Sequence, residues 1–323
     1  MNRPPQISIV IPVYRSQRIL AVLVDAIADA MHSAGYAGRF ELILVNDASP
    51  DDSWTIIEGL ARHKPFVRGI SLRKNTGQHN AIMAGLNHVR GNTVVLMDDD
   101  LQHPPAEIPA LIDMINAGYD VCYTRYIGRQ HPWWKQLGSR FNDRVATVLL
   151  KKPAGLYLSS FKALRRDIAD QIVKYDGPFT YVDGLILNTT RSIGVRDITH
   201  QSRYEGESTY SFSKLLSLWL KMATSFSVLP LRLATYLGFA LTGLSLLMLI
   251  YIIFAKLFQP ELPQGWASLI AAILLTGGVQ TFCIGVVGEY LGRAYLRLNQ
   301  HPQYVVGETT ADWSEQDARA GIR

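Results

Sequence analysis

Two runs without a single Asp, Glu, Lys or Arg constrain this chain more than any other feature. They extend from Leu233 to Ala255 and from Leu262 to Gly288, 23 and 27 residues. A helix that crosses a bilayer needs about 20 predominantly apolar residues, whereas a helix on a soluble domain carries charge on its outer face. The runs predict two membrane spans; a pair of buried core helices is the alternative. The connection Gln259-Pro260-Glu261-Leu262-Pro263-Gln264-Gly265 has no Lys or Arg. Lys214, Lys221 and Arg232 precede the first run, and Arg293 and Arg297 follow the second. That bias predicts both termini in the cytosol and the connection outside. Within Ser211–Leu229, Lys214, Ser217, Lys221, Thr224 and Ser225 form one polar stripe on an otherwise apolar helix. Such a helix lies in the membrane interface or packs on a domain.

The expected organisation of the 323 residues is a cytosolic domain over 1–210, an interfacial helix over 211–230, a first span over 231–258, an external loop over 259–265, a second span over 266–290 and a cytosolic tail over 291–323. After about Val306 the tail is polar and is expected to be poorly ordered. The start is not read as a signal peptide, because the apolar run Ile7–Val13 is too short and has no cleavage site. Two cysteines, Cys122 and Cys283, exclude a disulfide framework and a four-cysteine zinc site. A net charge of +5 is too weak to indicate nucleic acid, and no nucleic-acid partner is expected.

The first part alternates strand and helix patterns. Strands are expected at Ile7–Val13, Glu41–Val45, Val67–Leu72, Thr93–Met97 and Asp120–Thr124, with helices at Ile19–Ser33, Gly77–Val89 and Ala106–Asn116. Ser49 is expected to cap a further helix with Pro50 at its first position. The alternation implies an α/β fold with a largely parallel sheet and helices on both faces. Ligands bind such sheets beyond the carboxyl ends of the strands. Tyr14, Asp47, Arg73 and Asp98–Asp100 each follow a strand end and should converge on one crevice.

Asp98-Asp99-Asp100-Leu101-Gln102 is the strongest chemical signal. Adjacent carboxylates repel one another unless water or a cation neutralises them. In an extended segment Asp98 and Asp100 point the same way, and their oxygens with the Gln102 amide suit Mg²⁺ or Mn²⁺ alongside phosphate. A solvated acidic loop is the plain alternative. Asp47, in Asn46-Asp47-Ala48-Ser49, can accept hydrogen bonds from a nucleobase or ribose, or serve the turn itself. The basic turn Arg73-Lys74-Asn75-Thr76-Gly77-Gln78-His79 fits either a binding loop or an ordinary surface loop.

Taken in order, these stretches resemble family 2 glycosyltransferases with a nucleotide-diphospho-sugar (GT-A-like) fold. Leu101-Gln102-His103-Pro104-Pro105, with Glu107-Ile108-Pro109, narrows the resemblance to polyprenyl-phosphate glycosyltransferases, the group of dolichyl-phosphate mannose synthase and bacterial undecaprenyl-phosphate sugar transferases. Thr124-Arg125-Tyr126, Arg140, Arg203 ahead of Gly206-Glu207-Ser208-Thr209-Tyr210, and two carboxy-terminal spans are similar to that group as well. The resemblance implies that Pro12, Val13, Tyr14 and Asp47 hold the nucleoside. It implies that Asp98 faces the ribose and donor, and that Asp100 and Gln102 hold Mg²⁺ or Mn²⁺. Arg125, Arg140 and Arg203 would grip phosphate. The implied activity is inverting transfer of a sugar from a nucleotide-diphosphate sugar to polyprenyl (undecaprenyl) phosphate at the cytosolic face of a bacterial-type inner membrane, for cell-envelope glycan or lipid modification. Uridine is the default base, and a tetramer the implied assembly.

Three positions depart from the family pattern. Tyr-Asn-Glu is here Tyr14-Arg15-Ser16, Asp-Phe-Arg is Ser160-Phe161-Lys162, and Gly-Glu-Ser-Lys is Gly206-Glu207-Ser208-Thr209. A missing base weighs for a phosphate acceptor, since a lipid phosphate with a second pKa near about 6 is already a nucleophile at neutral pH. Two alternatives stay open: transfer to a hydroxyl of a glycan or glycolipid, and a nucleotide-sugar-binding membrane protein without turnover.

Overall fold

The computed structural model describes residues 5–127, 147, 152–153, 155–177, 180–199, 229–258 and 265–310. In chain order its elements are β1 (Ile7–Val13), α1 (Leu20–Ser33), β2 (Phe40–Asn46), α2 (Ser53–His63), β3 (Val67–Leu72), α3 (Gln78–Leu86), β4 (Thr93–Leu96), a 3-10 turn at Pro105–Glu107 leading into α4 (Ile108–Asn116), β5 (Val121–Ile127), β6 (Lys162–Arg165), α5 (Arg166–Ile172), α6 (Val182–Thr189), β7 (Ile193–Thr199), α7 (Leu229–Phe258), α8 (Trp266–Leu298) and β8 (Val306–Thr309). The chain divides into two compact units. Described residues of the first run from 5 to 199 and from 300 to 310, those of the second from 229 to 258 and from 265 to 299.

The first unit is a mixed sheet in the order β7-β5-β6-β4-β1-β2-β3-β8. β1 lies between β2 and β4, parallel to both, β2 is parallel to β3, and β5 to β7. β6 is antiparallel to β4 and β5, and β8 to β3. β1 and β2 are buried at every residue, which is why they read as continuous apolar runs rather than alternating ones. Leu20, Leu23, Val24, Ile27 and Met31 form the apolar stripe that seats α1. α1, α2 and α4 pack together, as do α3, α5 and α6, so the sheet lies between two helix layers. α3 approaches β1 so closely that a Cβ on Gly85 would stand 2.3 Å from Val10 Cγ1.

Three expectations are corrected. Ser49 does not cap a helix at Pro50: α2 begins at Ser53. The Ser49 hydroxyl is spent on Asp51 Oδ1 (2.5 Å), and that carboxylate takes the Ser53 N–H at 3.2 Å and the Ser53 hydroxyl at 2.6 Å. The last helix runs to Leu298, past the expected end of the span at 290. The tail is not simply disordered after Val306, because 306–309 returns to the sheet as β8. The Arg73 N–H donates to Val305 O and the Thr310 N–H to Gly69 O, both at backbone distance. Trp54 Nε1–H donates to Glu308 Oε2 at 2.8 Å. The Val305-Val306 pair is suited to a strand, and it covers an otherwise open edge of β3. The expected interfacial segment 211–228 lies outside the described residues.

The second unit is a helical hairpin of α7 and α8, 30 and 33 residues. Leu229–Met248 is long and apolar enough to cross a membrane, by length and composition. Many apolar side chains of α7 are uncovered, Leu244, Leu247 and Phe254 among them.

Candidate active site

The carboxyl ends of β1, β2, β3 and β4 meet at one edge of the sheet and open on a crevice of about 460 Å³. Pro12, Val13 and Tyr14 reach it from β1, Asp47 from β2, Asn75, Gly77 and Gln78 from the turn after β3, and Asp98, Asp99 and Asp100 from β4. Each of the four turns contains one residue in the left-handed region: Arg15 (φ 60°), Ala48 (φ 50°), Gly77 (φ 88°) and Leu101 (φ 57°). Three are not glycine, and such conformations persist where the surroundings over-determine them, often at functional sites.

Asp47 is buried at 3% exposure, and its carboxylate clamps the next turn. Oδ1 accepts the Thr76 N–H (2.7 Å) and the Thr76 hydroxyl (3.1 Å), and Oδ2 accepts the Gly77 N–H (2.8 Å). Its role is therefore at least to shape the crevice wall. Asp99 Oδ2 accepts the Tyr14 N–H at 3.1 Å and the Ser16 hydroxyl. Burial raises the Asp99 carboxyl to about 6, aided by the charge of Asp98 and opposed by the bonds from Ser16 and Tyr14. Asp98 accepts Gln78 Nε2–H on Oδ1 (2.5 Å) and the Ser160 hydroxyl on Oδ2 (2.6 Å). Asp100 Oδ1 accepts the Gln102 N–H at 3.1 Å, which closes the left-handed turn at Leu101.

Of the ten crevice residues four are carboxylates and none is basic. Among the described residues no three His, Cys, Asp or Glu side chains converge as a metal cage. Mg²⁺ and Mn²⁺ sites that act on phosphate often use one or two carboxylates and leave the remaining positions to phosphate and water. The residues present fit that kind of site: oxygen donors on adjacent turn residues, in an acidic cleft whose charge a cation would offset.

The structure brings together Pro12, Val13, Tyr14, Asp47, Asp98 and Asp100. Gln102 adjoins them through its N–H to Asp100. Arg73 and Arg125 are not among the crevice residues. The Arg125 guanidinium is engaged by Asp197 on β7, with Nε–Oδ1 2.6 Å and Nη2–Oδ2 2.9 Å. Arg140 and Arg203, like Thr209, lie outside the described residues. Reading the sequence missed Ser16, Gln78, His103 and Ser160 as partners of the acidic triplet. Ser16 and Ser160 are two of the departures from the pattern that the resemblance implies, so those departures were the available signal.

Two family profiles match the chain. The profile of Glycosyl transferase family 2 matches residues 8–173, and that of the GtrB C-terminal hairpin matches residues 229–294. Among solved structures, S. aureus TarS 1-349 is 20% identical over 60% of this chain and 59% of that one, with a TM-score of 0.44. Glucosyl-3-phosphoglycerate synthase from Mycobacterium tuberculosis is 18% identical over 69% of this chain and 79% of that one, at 0.47. The mannosyltransferase PcManGT from Pyrobaculum calidifontis, solved with GDP-Man and Mn²⁺, is 14% identical over 92% of this chain and 87% of that one, at 0.44. With more than half of its length matched by the first profile, and with the acidic turn of that match lining the crevice, the chain belongs to glycosyl transferase family 2.

Proposed function

We propose that the protein transfers a sugar from a nucleotide-diphosphate sugar to a polyprenyl phosphate at the cytosolic face of a membrane. The observation that carries this reading is an acidic, strand-end crevice in a chain that also bears a hairpin matched by the GtrB profile. In this reading α7 and α8 are two spans with both termini cytosolic; what speaks for it is the absence of charge in α8 from Trp266 to Gly288 and the basic residues that flank the pair on the terminal side. The donor's nucleoside occupies the wall of Pro12, Val13, Tyr14 and Asp47. Asp98 would face the donor, and Asp100 and Gln102 would hold Mg²⁺ or Mn²⁺, which would supply neutralisation of the departing diphosphate.

A phosphate acceptor suits this crevice. Asp47 and Asp98 each accept two or more protein hydrogen bonds, which lowers their basicity toward a hydroxyl. A phosphate oxygen needs no base. It forms the new bond to the anomeric carbon as the bond to the nucleoside diphosphate breaks, in line, with inversion. Arg140 and Arg203 are proposed to offset the repulsion between the two phosphate groups, and Arg125 would do so only on leaving Asp197.

Incubating the full chain with a panel of labelled nucleotide sugars, undecaprenyl phosphate and Mg²⁺ or Mn²⁺, followed by lipid extraction, tests the reading. A lipid-phosphate sugar is the expected product. Transfer only to a hydroxyl-bearing glycolipid, or no transfer from any donor, overturns it.

A further inference from the structure

His103 is 4% exposed and stacks on Phe161, ring centroids 5.2 Å apart and planes 13° from parallel. Tyr126 lies over it at 6.3 Å and 19°. The imidazole is thus fixed in plane, and its two nitrogens have different neighbours. The backbone N–H of Asp98 donates to Nδ1 at 3.1 Å. Nε2 lies 3.4 Å from Ser160 Oγ, whose hydroxyl donates to Asp98 Oδ2 at 2.6 Å. Main chain and side chain of Asp98, the ring of His103 and the hydroxyl of Ser160 close a loop.

We propose that His103 and Ser160 are positioning residues that orient the Asp98 carboxylate for the donor. The polarity of the loop follows from its first bond. Because Nδ1 accepts a backbone N–H, it cannot carry a proton in this arrangement, so the neutral ring bears its hydrogen on Nε2. That hydrogen points at Ser160 Oγ, and Ser160 donates onward to Oδ2. The carboxylate is held by Oδ2 on the side of β6, while Oδ1 accepts from Gln78, an exposed side chain that lines the crevice. Nε2 also stands 4.0 Å from Asp98 Oδ2, so ring and hydroxyl face the same carboxylate oxygen.

The fold explains why a residue 62 positions away reaches Asp98. β6 is antiparallel to β4, with Lys162 opposite Leu96. Two residues before Lys162 therefore come alongside two residues after Leu96, which is Ser160 beside Asp98. A carboxylate there would face Asp98 across a hydrogen-bond distance with a second negative charge; the hydroxyl supplies a donor without one.

The inference rests on Asp98 belonging to the donor site, and its test separates the two. In the full chain in lipid nanodiscs, without ligand, ¹⁵N spectra of labelled histidines report the tautomer directly, with His103 assigned by its loss in His103→Phe. The expected His103 signature is a pyridine-like Nδ1 and a pyrrole-like Nε2, with Nε2 shifted by Ser160→Ala and little changed by Ser160→Thr. A protonated Nδ1, or an Nε2 indifferent to Ser160→Ala, overturns the loop. With the donor found by the lipid-extraction panel, Ser160→Ala should lower kcat by about tenfold with less than about a twofold change in donor KM, because orientation rather than contact is lost. Ser160→Thr should restore most of the rate, an outcome that a simple packing role for serine would reverse. His103→Phe, which keeps the stacked ring, combined with Ser160→Ala should be no slower than the slower single variant. Wild-type kcat in Ser160→Ala beside an inactive Asp98→Ala overturns the inference alone. An active Asp98→Ala overturns the donor-site assignment, and the spectra still decide whether the loop exists.

Discussion

Among the described residues the sheet holds two buried ion pairs, toward opposite ends of its strands. At the amino edge Glu41, 2% exposed, accepts the Ser8 hydroxyl (2.6 Å), Arg68 Nη1–H (2.9 Å), and the Arg90 backbone N–H (2.7 Å) and Nε–H (2.9 Å). This cluster bolts β1, β2, β3 and the turn before β4 together, far from the crevice. At the carboxyl edge Lys162 pairs with Asp183, and Tyr123 donates its hydroxyl to the same carboxylate at 2.9 Å. Lys162 Nζ also sits 4.9 Å from the centroid of the Tyr123 ring. Burial pushes the Tyr123 phenol well above its ordinary range, and the charge of Asp183 adds to that. Here the pair ties β5, β6 and α6 two residues from Ser160. The chemistry of the two pairs is alike; what differs is where they stand relative to the acidic turn, and the expected contrast is stability alone for the first and stability with turnover for the second.

The largest effect should come from the acidic turn itself. Asp100→Asn is expected to cost two or more orders of magnitude in turnover, on the order of removing a key electrostatic contact, and to flatten the dependence on Mg²⁺ or Mn²⁺. Initial rates across a metal titration check this; wild-type rate with unchanged metal dependence would break the assignment. Melting should barely move, since the side chain lies in an open cleft.

Next come the ion pairs. Glu41→Ala leaves Arg68 without its buried carboxylate and should destabilise the fold by about 3–5 kcal/mol. The kcat of the fraction that remains folded should be unchanged. Asp183→Ala should cost a similar amount of stability and lower kcat as well. Denaturant unfolding and active-site-normalised rates distinguish the two, and an equal loss of kcat in both variants would erase the contrast between the edges.

A smaller effect separates the edges by pH. His79 follows Gln78 at the start of α3 and meets Tyr181 edge to face, ring centroids 5.0 Å apart. Burial lowers its imidazole to about 4, helped by Lys162 and opposed by Asp183. An unfolded histidine titrates near about 6.5, so between pH 6.5 and 4 the unfolded chain takes up the proton first. Stability from this site is complete above about pH 6.5 and is lost as pH falls toward 4. Melting temperatures of wild type and His79→Gln should converge as the pH is lowered through that window; parallel curves would show that the carboxyl edge lacks this titration.

The halves of the sheet also differ in how far they could be read from sequence. β1 and β3 have the expected bounds, and β2 and β4 lie within a residue or so of theirs, because strands buried on both faces make long apolar runs between turn residues. The convergence of Tyr14, Asp47 and Asp98–Asp100 followed from parallel strands sharing one carboxyl edge. β6 was invisible. Lys162-Ala163-Leu164-Arg165 is four residues with no period to detect, and its direction is set by pairing with β4 and β5. What a reversed strand delivers, Ser160 beside Asp98, depends on register and not on local pattern. The start of α2 was misplaced for a related reason: a choice among Ser49, Asp51 and Ser53 as cap is settled by who else bonds them, and Arg15 N–H occupies the Ser49 hydroxyl at 2.8 Å.

β8 offers the smallest test, and the one that asks whether the opposite flank of the sheet reaches the crevice at all. Its strand has four residues, and its pairing with β3 is irregular between Ser71 and Leu72. Glu308→Ala removes the acceptor of Trp54 Nε1–H at an exposed position, which should cost about 1 kcal/mol or less. The same flank is joined to the turn after β3, where Arg73 N–H meets Val305 O and a Cβ on Gly307 would stand 3.1 Å from Arg73 Cγ. That turn continues to Gly77, held by Asp47. If β8 only covers an edge, Glu308→Ala shifts the melting temperature slightly and leaves donor KM unchanged. A raised donor KM would instead mean that the returning strand sets the turn from Arg73 to Gly77, and the division between structural and functional edges would have to be drawn through β3 itself.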